Sequence, residues 1–165
     1  MAHLLTMLAA ETAAGLEAAA LERLEDARAA LRAERRGAAV YLAGYVAEMT
    51  LKWAAFRLVD PYGTQHVGAL LGSAKGLAGS VMVPEPWESG HSLQFWLSYL
   101  RAKRLAVGLA PLAFDPELDR YVASCWRDWR VKMRYVPWQV ITGREAARFV
   151  WRVRWLAARR DRLWR

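Results

Sequence analysis

Arginine and tryptophan supply the chemistry that this sequence offers most plainly. Arg144, Arg148, Arg152, Trp155, Arg159 and Arg162 follow one another at intervals of three or four residues, with Trp151 beside them. On a helix such spacing makes a single stripe. Guanidinium forks take phosphate through paired hydrogen bonds, and an indole stacks on a nucleobase or on arginine. The stripe is therefore a candidate nucleic-acid-binding surface. The competing reading is an outer amphipathic helix whose indoles pack on a second copy. Nine tryptophans are many for 165 residues, and a homodimer interface would absorb several.

Charge is distributed to match. Residues 120–165 hold 13 Lys and Arg against 3 Asp and Glu, whereas residues 1–119 hold 11 against 13. The whole chain carries a net charge of +8 and a pI near 10.1. A basic segment of this kind is either the electrostatic footprint of a polyanion partner (RNA, another nucleic acid or an acidic protein) or a solvated arginine-rich surface.

Acid–base and metal chemistry are poorly provided. The three histidines, His3, His66 and His91, are scattered and have no carboxylate at ligand spacing, so neither a metal nor a cofactor is expected. No serine stands in a nucleophile context. Cys125 is the only cysteine, which excludes an internal disulfide, and it falls on an apolar stripe as a core residue. Gly68 to Gly76 lacks the phosphate-loop pattern, because Lys75 follows alanine and precedes glycine; a short helix with loop ends fits it better. His91, in Gly90-His91-Ser92-Leu93, either caps the helix beginning at Ser92 or touches a ligand. His66 reads as plain surface.

These residues need a scaffold, and the pattern predicts helices throughout. Residues 1–12 read as a frayed lead. Thr12 to Arg36 is alanine-rich, with Leu16, Ala20, Leu24, Ala27 and Leu31 on one face, and Arg35-Arg36-Gly37 reads as its end. Ala38 to Leu58 follows after a short connection, so the two should lie antiparallel. Within it Glu48 precedes Lys52 by one turn, the favoured order for a helical ion pair. Gly44, between Tyr41 and Tyr45, costs roughly 1 kcal/mol against alanine in a helix, which predicts close approach of a neighbouring helix. Residues 59–91 are irregular, punctuated by glycines at 63, 68, 72, 76 and 79 and prolines at 84 and 86. Ser92–Val107 reads as a helix with Leu93, Trp96, Leu97 and Leu100 inward and Arg101, Lys103 and Arg104 serving its C-terminal dipole. Asp115-Pro116-Glu117 starts another with Asp115 as N-cap, and Leu118, Val122, Cys125 and Trp129 share its inner face. Tyr135 to Ile141 reads as a linker around Pro137. Thr142 and Glu145 have capping-box spacing before the last helix, which runs toward Arg162.

The run Tyr41-Leu42-Ala43-Gly44-Tyr45 with Glu48 and Lys52 resembles the HEPN superfamily of small all-α domains. Arg23-Leu24-Glu25-Asp26-Ala27, the Gly90–Leu93 run and Trp129 to Tyr135 extend the likeness across about residues 19–160. The resemblance implies a single domain over residues 1–165, a bundle of four to five helices built on an antiparallel hairpin. Gly44, Tyr45, Glu48, Lys52 and Tyr135 would be its structural motif. HEPN ribonucleases carry an arginine followed, after four to six residues, by a histidine. Here eight residues separate Arg57 from His66, so the motif is missing. The resemblance thus implies a non-catalytic nucleic-acid binder, working as a homodimer, beside a nucleotidyltransferase, or with an antitoxin in a toxin–antitoxin or defence module. A diverged, metal-independent ribonuclease would use His91 and Arg134. A structural subunit meeting an acidic protein is the third reading. The preferred reading of Arg134 is structural, a pair with Glu48 that ties the later helices to the hairpin; the alternative is an anion-binding arginine in the cleft. No apolar run reaches the ~18 residues needed to span a bilayer, and the N-terminus lacks the basic start of a signal peptide, so a cytoplasmic location is expected.

Overall fold

The computed structural model describes residues 11–131, 133 and 141–165, and every regular element among them is helical. The helices are α1 (Ala13–Arg32), α2 (Arg36–Arg57), α3 (Val67–Lys75), α4 (Leu93–Ala106), α5 (Asp115–Asp128), α6 (Gly143–Ala157) and α7 (Arg160–Trp164), with a 3-10 turn at Glu88–Gly90. Two features raise the number above four or five. The irregular region holds α3, and the basic C-terminal stretch divides after Ala157 into α6 and α7. No helix of the described residues is long and apolar enough to cross a membrane.

The bundle is built around α2. Fifteen of its 22 residues are buried, on all sides rather than on one face. Its alanines let backbones approach closely, and α1, α4, α6 and α7 all pack on it. Leu51 and Phe56, both fully buried, each contribute roughly 1.5–3 kcal/mol by leaving water. The start of α1 lies beside the loop that follows α2, where Ala14 N–H donates to Gly63 O at 3.3 Å, so the two helices run in opposite directions. Thr12 caps α1 by accepting from Gly15 N–H at 3.2 Å. The end of α1 departs from the expected one. The helix stops at Arg32, Glu34 takes the left-handed turn (φ 56°), and Gly37 is buried within the first turn of α2.

Gly44 is crowded, though by a side chain rather than by a helix backbone. A Cβ built there would lie 2.0 Å from Trp129 Nε1 and 2.2 Å from Cδ1 and Cε2. Trp129 is fully buried, donates its indole N–H to Tyr41 O at 3.2 Å and meets Tyr45 edge-on with centroids 5.4 Å apart. It reaches this place from just beyond α5, in extended conformation, not from the helix itself.

Three local expectations need correction. His66 is exposed but has a local role: its Nδ1 accepts from Gly68 N–H at 3.0 Å and caps α3. Asp115 is not an N-cap. Phe114 holds that position without a side-chain bond, while Asp115 accepts two hydrogen bonds from Arg101, at 3.2 and 2.8 Å, tying α5 to α4. The basic end of α4 does more than serve the dipole. Arg104 is buried and donates to the carbonyls of Leu163 (2.7 Å), Arg165 (3.0 Å) and Ala110 (2.7 Å), which fastens α7. Burial pulls its pKa below the usual arginine value, with Asp115 opposing.

Candidate nucleic-acid interface

Helices α5 and α6 pack side by side, and their sequences dictate which faces stay outside. Leu118, Val122 and Cys125 turn α5 inward; Ala146, Phe149, Val150, Val153, Leu156 and Ala157 do the same for α6. The start of α6 is fixed by the capping box read from the sequence. Thr142 Oγ1 accepts from Glu145 N–H at 3.2 Å, and Glu145 Oε2 accepts from Thr142 N–H at 2.8 Å. Those bonds from the Thr142 hydroxyl and backbone hold the Glu145 pKa below the usual carboxylate value. With the inner faces committed, Arg120, Tyr121 and Arg127 of α5 look across to Arg148, Trp151 and Arg152 of α6. Together they line an open groove of about 860 Å³.

Around the end of α5 lies a second cavity of about 360 Å³, where Val40, Ile141 and Phe149 meet Arg127, Arg148 and Arg152. The three arginines are common to both hollows. Asp128 sits among them, accepting from Arg127 Nε at 2.9 Å and Arg152 Nη1 at 3.3 Å. This contact raises the Arg127 pKa above its ordinary value, through the hydrogen bond first and the charge second. Arg152 is held low, with 17% of its side chain exposed. Arg120, Arg144, Arg148 and Arg154 enter no ion pair among the described residues, although the charge of Arg148 acts on Glu145 one turn before it.

The aromatic side chains sort differently from the sequence reading. Trp155 is half-buried: Phe114 and Tyr121 meet it edge-on at 5.7 and 4.7 Å, and the Arg159 guanidinium lies 4.1 Å over its ring. Arg162 lies on α7, with its guanidinium 4.9 Å over Phe114. The six-residue stripe is thus broken: Arg144, Arg148, Arg152 and Trp155 lie on α6, while Arg159 and Arg162 lie beyond its end. Trp151 is the open indole, 52% exposed and braced edge-on by Tyr121 at 5.6 Å. Arg120, Tyr121 and Arg127 belong to no stripe evident in the sequence of the last helix. Arg120 and Arg127 stand seven residues apart, two helical turns, which is the signal that would have placed them on one face.

A separate polar cluster lies inside the bundle. Glu48, 3% exposed, binds Lys52 Nζ through Oε1 at 2.5 Å and His91 Nδ1 through Oε2 at 2.9 Å. Lys52 Nζ also stands 5.2 Å from the centre of the Trp96 ring. The helix that follows His91 is capped by Ser92, whose Oγ accepts from Phe95 N–H at 3.1 Å, so capping is not the role of His91. Three residues before it, Glu88, Ser89 and Gly90, all have positive φ (40°, 57° and 80°). Left-handed backbone at non-glycine residues costs of order 1–3 kcal/mol each. This turn delivers the imidazole to Glu48. Since a carboxylate oxygen accepts, the hydrogen of that bond lies on Nδ1 and Nε2 is left for other contacts. The imidazole is 37% exposed.

Arg134 and Tyr135 lie outside the described residues, as do His3 and most of the expected linker around Pro137. Among the described residues no group of three or more His, Cys, Asp or Glu is placed to hold a metal ion. Of the eight described tryptophans only Trp151 is exposed, so the tryptophan content does not itself require a second copy. No family model, curated protein or solved structure matches this chain.

Proposed function

We propose that this chain is a non-catalytic, HEPN-like helical protein that binds RNA or another nucleic acid through the groove between α5 and α6. The observation that carries the reading is the groove itself: arginines from two helices converge on one hollow beside an exposed indole. The α1–α2 pair and the Glu48–Lys52 spacing support the HEPN-like part, with seven α-helices among the described residues in place of four to five. In this reading the chain works as a homodimer or beside a nucleotidyltransferase or antitoxin, as the resemblance implies. The test is anisotropy with labelled RNA over a series of KCl concentrations. Replacing Arg120 and Arg148 with glutamine should weaken binding to all sequences. It should also flatten the slope of log K against log salt by about 1.4, or about 0.7 per lost phosphate contact on a single strand. An unchanged slope, or no binding at low salt, refutes it.

One observation favours a second reading, a metal-independent ribonuclease. Glu48 orients the His91 imidazole as a carboxylate orients a general base. RNA cleavage that persists in chelator and vanishes in His91→Ala would put this reading first. Intact RNA after prolonged incubation would remove it.

A further inference from the structure

Phosphate contacts alone leave Trp151 unexplained. Its indole is half open to solvent in a chain whose other described tryptophans are tucked inward. It is also held in place. Tyr121 meets Trp151 edge-on at 5.6 Å (81°) and Trp155 at 4.7 Å (84°), so one phenol ring braces both indoles. The Trp155 indole in turn meets Phe114 and carries Arg159. A flat indole positioned by these ring contacts and open to solvent suits a flat apolar ligand.

The surroundings say what else that ligand carries. Arg148 lies one turn before Trp151 on α6, and Arg120 and Arg127 lie across the groove on α5. Flat and apolar beside several anions is the chemistry of a nucleotide. A groove of about 860 Å³ is on the scale that accommodates a ligand of drug size. In a duplex the base faces are stacked on one another and only edges and phosphates are presented. An indole offers stacking to a base only when that base is unpaired.

Resting on the nucleic-acid reading above, we infer that the α5–α6 groove takes a single strand, with one unpaired base stacked on Trp151 and the flanking phosphates on Arg120, Arg127 and Arg148. Binding is then tolerant of sequence, because every base has a face to stack.

The full chain is titrated with three labelled probes of equal length: oligothymidylate, a strand with the same phosphates but abasic sites throughout, and a duplex. Oligothymidylate should bind best. Trp151→Ala should weaken it by about 5- to 150-fold, the range for loss of one base–aromatic stack, while leaving the abasic strand unaffected. Trp151→Phe should restore most of the loss. Circular dichroism and a thermal melt of both variants establish that the fold is retained, which the exposure of Trp151 leads one to expect. Equal loss on the abasic strand, no loss on oligothymidylate, a duplex bound as tightly as the single strand, or equally effective displacement by polyglutamate each overturns the inference. If the abasic strand binds the native chain as tightly as oligothymidylate, only the stacking inference fails. If no probe binds, the nucleic-acid reading fails with it.

Discussion

Substituting alanine for Gly44 separates packing from helix propensity, because the two predict opposite signs. In an exposed helix the change stabilises by roughly 1 kcal/mol. Here the new methyl would sit 2.0–2.2 Å from three atoms of the Trp129 indole, well inside any real contact. The indole is a rigid plane, fully buried, pinned by its hydrogen bond to Tyr41 O and by the Tyr45 ring. It has to shift by more than an ångström, or α2 must. Overpacking of this kind costs about 1–3 kcal/mol, and losing the indole hydrogen bond adds about 0.5–1.5 kcal/mol. After subtracting the propensity gain, Gly44→Ala should destabilise by roughly 1–3 kcal/mol. For a chain of this size that lowers Tm by about 2–12 °C. Urea unfolding followed by far-UV circular dichroism gives the free energy directly. The control is a double-mutant cycle. Trp129→Ala costs about 3–5 kcal/mol alone, but in that background Gly44→Ala should become neutral or stabilising, because the clash is gone. A Gly44→Ala protein as stable as the native one, or a cost unchanged in the Trp129→Ala background, refutes the account.

Removing the carboxylate of Glu48 should be among the more damaging single changes, since it leaves Lys52 buried without a counter-charge; Glu48→Ala is expected to cost about 3–5 kcal/mol in urea unfolding. Pairing it with Lys52→Met should recover part of that loss, and a Glu48→Ala cost below about 0.5 kcal/mol would dismiss the ion pair as a structural element. Alkaline stability is the third case. Burial pushes the Cys125 thiol from 9.0 up to about 12 and the Tyr99 phenol from 10.0 up to about 12. Both groups are more acidic when unfolded, so the folded chain holds more protons in between, and stability should fall as pH rises from about 9 through about 12. Thermal melts across that window should show the decline, shallower in Tyr99→Phe; a flat profile would contradict the burial of both groups.

Local spacing made much of the scaffold legible in the sequence. The extent of α2, the inner face of α6, the Thr142–Glu145 box and the Glu48–Lys52 pair all depend on contacts within four residues. What escaped depends on distance along the chain. His91 meets a carboxylate 43 residues earlier, and Trp129 meets Gly44 and Tyr41 from 85 and 88 positions away. No periodicity encodes such meetings. Glu34 took the left-handed turn in place of Gly37, and Asp115 gave up a capping bond for Arg101; in both, tertiary packing outweighed an intrinsic preference. The groove was half legible. The charge asymmetry located it after residue 120, and the arginines of α6 were visible as a stripe. That α5 supplies the opposite wall, and that Trp151 rather than Trp155 is open, follows from how two amphipathic helices pack and from where α6 stops.

The trio of Glu48, Lys52 and His91 has a consequence for how α2 is set within its neighbours. The Gly44 notch that receives Trp129 is one determinant of the rotation of α2, while the alanines elsewhere along the helix offer similar surfaces at several angles. Each residue advances about 100° around the axis. Turning α2 by one position would swing Glu48 away from the imidazole and carry the Lys52 ammonium off the Trp96 face into hydrocarbon. Two charges set into an otherwise greasy shaft act as a key in a keyway, admitting one angle of assembly and rejecting its near neighbours.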